Sequence, residues 1–104
     1  MPDWQTLAGA ADTPTAGTVR VFEVDGTRIA LCNVDGSLYA IDDVCTHDGG
    51  ALDQGELDGV EIECPRHGAR FDVRTGRVTA LPAFQPVETY PVRVQGQDVQ
   101  VDLG

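Results

Sequence analysis

Lysine is absent from this chain of 104 residues, and its seven arginines are outnumbered by 17 acidic residues, which gives a formal net charge of −10. Binding to nucleic acid or to an anionic membrane would work against that charge, so the expected partners are proteins. No apolar run approaches the roughly 20 residues that a membrane-spanning helix needs. Residues 1–14 also lack the basic start and the apolar stretch of a secretion signal, so we expect a cytoplasmic protein.

Cysteine and histidine are scarce, with three and two residues respectively. Three cysteines are too few for a disulfide framework within one chain. Cys32 stands apart from the other two in the sequence, and we predict that it is a small buried residue of a strand. The other two cysteines and both histidines are concentrated in two short motifs, Cys45-Thr46-His47 and Cys64-Pro65-Arg66-His67.

Each motif offers one thiolate and one imidazole to a shared metal centre. Structural zinc modules usually group like ligands, as in CxxC followed by HxxxH, whereas here each motif supplies one ligand of each kind. Such a division of ligands is found in Rieske [2Fe–2S] centres, where two histidines replace two cysteines on one iron. The motifs therefore favour an iron–sulfur centre, with a structural Cys2His2 zinc site as the alternative.

These motifs, together with the sequence HGARFDVRTG (67–76) and the Leu81-Pro82-Ala83 segment, resemble the Rieske-type ferredoxins that serve bacterial ring-hydroxylating dioxygenases. The resemblance implies one [2Fe–2S] cluster per chain, with thiolates on the inner iron and imidazoles on the outer iron. The implied ligands are Cys45 and Cys64 for the inner iron, and His47 and His67 for the outer iron. Pro82 resembles the proline of a loop that covers the cluster in this family, with an ordinary strand-end proline as the alternative.

The function that the resemblance implies is one-electron transfer in aromatic hydrocarbon catabolism. A monomeric carrier would take electrons from a flavin-dependent NAD(P)H ferredoxin reductase and pass them to a terminal oxygenase. The chain is not expected to be an oxygenase itself, because a mononuclear iron site needs two histidines and the cluster already uses both. A Rieske-like small subunit of another reductase, such as assimilatory nitrite reductase, is the alternative function.

The loop residues around the motifs bear on the reduction potential. High-potential members of the family carry an extra cysteine in each ligand loop, and these two cysteines form a disulfide. Gly50 and Arg66 stand at those positions here, and Ala69 replaces the family's hydroxyl donor. The resemblance therefore implies a potential at the low end of the Rieske range, because hydrogen bonds to the sulfurs raise it.

Short runs of β-forming residues joined by turn dipeptides predict a single all-β domain over residues 1–104. Asp25-Gly26 and Asp35-Gly36 are typical of type I′ hairpin turns and predict a three-stranded meander over residues 19–41. Further strands are predicted around residues 60–63, 71–73, 77–79, 92–95 and 99–101. The resemblance implies a Rieske-like antiparallel sandwich, with a cluster-binding subdomain of about residues 42–83 inserted into a base domain.

Charge is unevenly distributed along the chain. Residues 42–63 carry eight acidic residues and no basic residue, and four arginines follow at positions 66, 70, 74 and 77. One interpretation is a solvated face that keeps the protein in solution. The other is a surface that steers a charged partner towards the cluster. The aromatic residues, Phe84 among them, are interpreted as packing residues of the core or of a lid, and not as an electron route.

Overall fold

The computed structural model describes residues 2–46, 49–66 and 68–104, and within these ranges it contains eleven β-strands and two short 3₁₀ helices. The strands are β1 (Trp4–Gly9), β2 (Val19–Val24), β3 (Thr27–Val34), β4 (Ser37–Asp42), β5 (Glu56–Asp58), β6 (Glu61–Glu63), β7 (Arg70–Asp72), β8 (Val78–Ala80), β9 (Thr89–Tyr90), β10 (Val92–Gln95) and β11 (Asp98–Asp102). The helices are Ala10–Asp12 and Leu52–Gln54. The predicted all-β class is confirmed. In the described part of the chain, no helix has the length and apolar character that a bilayer crossing requires.

The strands form three antiparallel sheets. A three-stranded sheet has the order β1-β11-β10, and a four-stranded sheet has the order β2-β3-β4-β9. The third sheet, β5-β6-β7-β8, is made entirely from residues 56–80. That sheet lies within the segment that the sequence predicts as a cluster-binding subdomain, although the boundaries 42–83 remain a prediction.

The predicted meander over β2, β3 and β4 is confirmed, including its turn chemistry. The first turn leaves Asp25 and Gly26 unpaired between Val24 and Thr27, with φ of 54° and 81°. The second turn repeats the pattern at Asp35 and Gly36, with φ of 52° and 92°. A type I′ turn needs positive φ at both central residues, and asparagine, aspartate and glycine tolerate this conformation best.

Strand β3 is central because both of its faces are covered. Ile29 and Leu31 pack into one buried cluster, with residues of β1 and β11, whereas Ala30 and Cys32 pack into the other, with residues of the third sheet. Successive side chains of a strand point to opposite faces, so one strand serves two cores. Cys32 is fully buried, as predicted.

Candidate metal centre

Cys45 and Cys64 each lie just beyond the end of a strand. Cys45 follows β4 by three residues, and Cys64 follows β6 directly. Both side chains have no exposed surface, and both belong to the same buried cluster as Phe71 and Leu52. The structure thus brings the two predicted sulfur ligands into one apolar core.

The loops that follow the two cysteines close in the same way. The Cys45 amide donates to the Gly50 carbonyl over 2.7 Å, and the Gly49 amide donates back to the Cys45 carbonyl over 2.7 Å. In the second loop, the Cys64 amide donates to the Ala69 carbonyl over 2.7 Å, and the Gly68 amide donates to the Cys64 carbonyl over 3.1 Å.

Each loop also has a glycine in the left-handed region at the fourth position after its cysteine. The φ values are 77° at Gly49 and 78° at Gly68. A residue with a Cβ is disfavoured in this conformation, so glycine lets each loop turn back towards its own cysteine. The two loops are therefore two copies of one local design, each presenting a buried thiol at its first residue.

His47 and His67, the two predicted imidazole ligands, lie outside the described residues. Among the residues that are described, no group of three or more histidine, cysteine or acidic side chains comes together as a metal site. Cys32, Cys45 and Cys64 are all described, and none of them forms a disulfide. The structure therefore describes only the two cysteines of the predicted ligand set, Cys45 and Cys64.

The first loop is flanked by a buried carboxylate, although the sequence predicts a solvated or steering surface for the acidic stretch that contains it. The Asp43 side chain has no exposed surface and accepts hydrogen bonds from the Asp53 amide (2.7 Å) and the Arg28 guanidinium (3.2 Å). Burial, together with the neighbouring Asp53 carboxyl, raises the pKa of Asp43 to about 6, against the opposing effect of Arg28. The contact between Asp43 and Arg28 cannot be predicted from the sequence, because Arg28 lies on β3, 15 residues earlier in the chain.

Beside the second loop, Arg70 gathers three carboxylates of the same sheet. Its guanidinium lies 3.0 Å from Glu63, 3.2 Å from Glu61 and 3.3 Å from Asp58. These hydrogen bonds, the one with Glu63 first, raise the pKa of Arg70. Part of the acidic stretch is thus paired within the chain, which leaves fewer carboxylates for steering a partner than the composition suggests.

The segment that carries Pro82 is tied to the first ligand loop. The Thr46 hydroxyl donates to the Gln85 carbonyl over 2.6 Å. Leu81 and Phe84, on either side of Pro82, are 69% and 81% exposed. Phe84 therefore does not pack into the core, whereas its alternative role as a lid residue remains a prediction. The role of Pro82 as a cover of the cluster remains a prediction.

The described residues fit the sulfur side of a [2Fe–2S] cluster. Two thiols without solvent exposure stand at matched loop positions on one apolar core. Thiolates are the usual ligands of iron–sulfur clusters, and solvent exposure is one of the factors that set the cluster's potential. Cys32 shares the core but sits within β3 and has no such loop.

Comparisons with known proteins point the same way. A family model described as the Rieske [2Fe-2S] domain matches residues 3–91. The ferredoxin component of the naphthalene 1,2-dioxygenase system of Pseudomonas aeruginosa is 47% identical over 87 residues, which make up 84% of this chain and 84% of the relative.

Two solved structures extend the similarity to the fold. The Sphingomonas yanoikuyae B1 ferredoxin has a TM-score of 0.90 and 34% identity, and the match covers 98% of this chain and 100% of that chain. A chain in the complex of reduced oxygenase and oxidized ferredoxin in carbazole 1,9a-dioxygenase has a TM-score of 0.88 and 36% identity, with coverage of 95% and 92%.

Proposed function

The chain belongs to the Rieske [2Fe–2S] domain family, and from this membership we propose that it is the ferredoxin of a ring-hydroxylating dioxygenase system. Its cofactor is one [2Fe–2S] cluster, and its function is to carry single electrons. It is an electron-transfer component and not the catalytic oxygenase. The observation that carries the proposal is the pair of matched loops that start at the buried residues Cys45 and Cys64.

Four residues would hold the cluster: Cys45, His47, Cys64 and His67. The cluster supplies a one-electron redox couple when bound, and mixed cysteine and histidine ligation places its potential above that of four-cysteine ferredoxins. The chain's own contribution is to bury the two thiolates and to fix their positions. The loop hydrogen bonds of Cys45 and Cys64 perform the second task, because each closes its loop on the cysteine's own backbone.

The proposed partners are a flavin-dependent NAD(P)H ferredoxin reductase, as donor, and a terminal oxygenase that hydroxylates aromatic rings, as acceptor. The second partner is supported by the similarity to a chain from a complex of oxygenase and ferredoxin. A net charge of −10 supports protein partners over nucleic acid. We further propose that the carrier is monomeric and cytoplasmic.

The alternative, a small subunit of another reductase such as assimilatory nitrite reductase, has less support. The naphthalene dioxygenase ferredoxin matches most of this chain at 47% identity, and its name is that of an electron carrier to an oxygenase. No contact of the described residues favours the nitrite reductase assignment. We therefore retain the ferredoxin assignment.

Electron paramagnetic resonance of the dithionite-reduced protein tests the proposal. We expect a rhombic signal with a low average g value, together with iron and acid-labile sulfide. Cys45→Ala and Cys64→Ala should abolish the signal, whereas Cys32→Ala, which removes an equally buried thiol of the same core, should preserve it. A colourless protein that contains zinc, or a signal that survives Cys45→Ala, would contradict the proposal.

A further inference from the structure

Asp43 is the one charged residue that is buried within the described ranges. Its carboxylate accepts from the Asp53 amide through Oδ1 and from the Arg28 guanidinium through Oδ2. Its backbone amide also donates to the Arg28 carbonyl over 3.0 Å. Asp43 therefore forms three hydrogen bonds with Arg28 and Asp53, which are distant from it in the sequence. Two of these bonds are made by its buried carboxylate.

The position of these contacts along the chain is informative. Asp43 precedes Cys45 by two residues, and Asp53 follows the loop that Cys45 begins, which closes at Gly50. Arg28 lies on β3, the strand whose two faces are covered by the two buried clusters. The Asp43 carboxylate therefore connects the two ends of the first ligand loop to each other and to the strand beneath them.

The second ligand loop needs no such connection. Its two ends, Glu63 and Arg70, are direct partners in the β6–β7 ladder and also form an ion pair over 3.0 Å. The first loop leaves β4 at Asp42, and the next strand is β5, so no ladder joins its ends. The two loops have the same internal hydrogen bonds, but their ends are held differently. The β6–β7 ladder joins the ends of the second loop, whereas the Asp43 side chain joins those of the first.

We propose that Asp43 is a positioning residue that holds the first ligand loop in place by linking Asp53 and Arg28 across its base. The inference rests on the proposed function in that Cys45 is taken as a cluster ligand. Asp43 does not touch the cluster in this scheme. It acts through the loop, much as residues beyond the direct ligands orient metal sites in other proteins.

A buried charge that merely contributes to overall stability would behave differently from a loop clamp. Loss of such a charge would loosen the whole core, including both ligand loops. Loss of a clamp loosens the first loop and leaves the second, which its own ladder holds. The second ligand loop therefore serves as an internal control for loosening of the first.

The test is hydrogen–deuterium exchange, read by mass spectrometry, on the cluster-loaded wild type and on Asp43→Asn. The substitution keeps the size of the side chain and removes its charge towards Arg28. We expect exchange in residues 44–50 to rise by roughly tenfold, since a hydrogen bond to a charged group is worth at least that factor. Exchange in residues 64–69 should stay unchanged. The rhombic g values should also shift in Asp43→Asn, because Cys45 is no longer held in one position.

Asp72→Asn is the matched control. Asp72 likewise accepts from a backbone amide, that of Arg74 (2.9 Å), and from the Arg74 guanidinium (2.8 Å), but it lies outside both ligand loops. It should change neither loop. Should Asp43→Asn fail to fold, Arg28→Gln removes the other end of the pair and should loosen the same residues, with Arg28→Lys restoring part of the protection.

Equal exchange increases in both loops, or none in the first, would overturn the proposal. A wild type that binds no iron–sulfur cluster would instead refute the proposed function. The comparison of the two loops can still be made on that protein, so the two failures are distinguishable.

Discussion

Gly55 lies directly against the backbone of Glu63, the residue before Cys64. A Cβ placed on Gly55 would overlap the Glu63 carbonyl oxygen and lie 3.2 Å from the Pro65 ring. The φ of Gly55 is −89°, which any residue adopts, so it is the lack of space that requires glycine here. The segment that follows the first ligand loop and the strand that delivers the second cysteine are thus in backbone contact.

Gly55→Ala is therefore expected to destabilise the protein. Backbone atoms cannot move aside as a flexible side chain can, and forcing extra volume into a packed site costs about 1–3 kcal/mol. The free energy of unfolding from urea denaturation measures the effect. Gly9→Ala is the control, because Gly9 has a φ of −74° and a Cβ at that position would have no neighbour closer than 3.9 Å. Equal losses in the two variants would contradict the steric argument.

Arg70→Gln is expected to destabilise the third sheet in a salt-dependent way. The substitution leaves Asp58 and Glu61, which are direct cross-strand partners, without the cation that contacts both. Like charges opposite each other in a sheet repel, and salt screens that repulsion. The loss in unfolding midpoint should be smaller than that of Gly55→Ala and should shrink as salt is raised.

Arg77→Gln is the control for this effect. Arg77 takes part in no ion pair among the described residues and attracts Asp72 only from a longer distance, so its substitution should change the midpoint less than Arg70→Gln does. If Arg70→Gln were as destabilising in high salt as in low salt, the loss would come from packing of the arginine stem and not from charge.

Local chemistry explains which parts of the structure are predictable. The turns at Asp25-Gly26 and Asp35-Gly36 are encoded by two adjacent residues each, and the predicted meander is correct. Cys45 and Cys64 are buried at matched loop positions, and their role as cluster ligands stays a prediction. Features that depend on a few neighbouring residues are thus visible in the sequence.

Features that depend on distant residues are not visible in this way. Strand β1 pairs with β11 across more than 90 residues, with Trp4 opposite Asp102, and no turn signal announces such a pairing. Composition places Asp43 on a solvated or steering surface, whereas its ion pair with Arg28 of β3 allows its burial. Residue type alone does not tell whether Phe84 packs in the core or in a lid, and the structure excludes the core. Each of these features depends on a partner, or on the lack of one, that only the tertiary structure reveals.

The pair of Asp72 and Arg74 predicts a pH dependence of stability. Hydrogen bonds from Arg74 lower the pKa of Asp72 below its usual value of 3.8. The folded protein therefore favours the ionised carboxylate, so this contribution is present above about pH 4 and is lost as the pH falls through the folded-state pKa. The stability difference between wild type and Asp72→Asn should be modest near neutrality, because Arg74 is exposed, and should vanish in acid.

Urea denaturation of both proteins across this pH range measures the difference. Asp98→Asn, at an exposed position of β11, provides the control and should show no such convergence with wild type. A gap that widened on acidification would show that Asp72 is stabilised in its protonated form and would contradict the assignment.

The reduction potential is expected at the low end of the Rieske range, about −150 mV, because no hydroxyl stands at Ala69. Ala69 is fully buried, and its carbonyl closes the second ligand loop on Cys64. Ala69→Ser introduces a donor at the position where the family resemblance implies one in high-potential members. A hydrogen bond that favours the reduced form by about 1 kcal/mol raises a one-electron potential by about 40 mV, and protein-film voltammetry resolves a shift of that size.

Ala30→Ser is the control, because it distinguishes the effect of a hydrogen bond to the cluster from the effect of a more polar core. Ala30 is equally buried and lies in the same core, but it belongs to β3 and not to a ligand loop. A hydroxyl there makes the same core more polar from a strand and not from a ligand loop, so its effect on the potential should be smaller than that of Ala69→Ser. Equal shifts of the reduction potential in the two variants would show that core polarity causes the effect. A wild-type reduction potential well above zero would contradict the predicted low potential, because it would require a donor to the sulfurs that is already present.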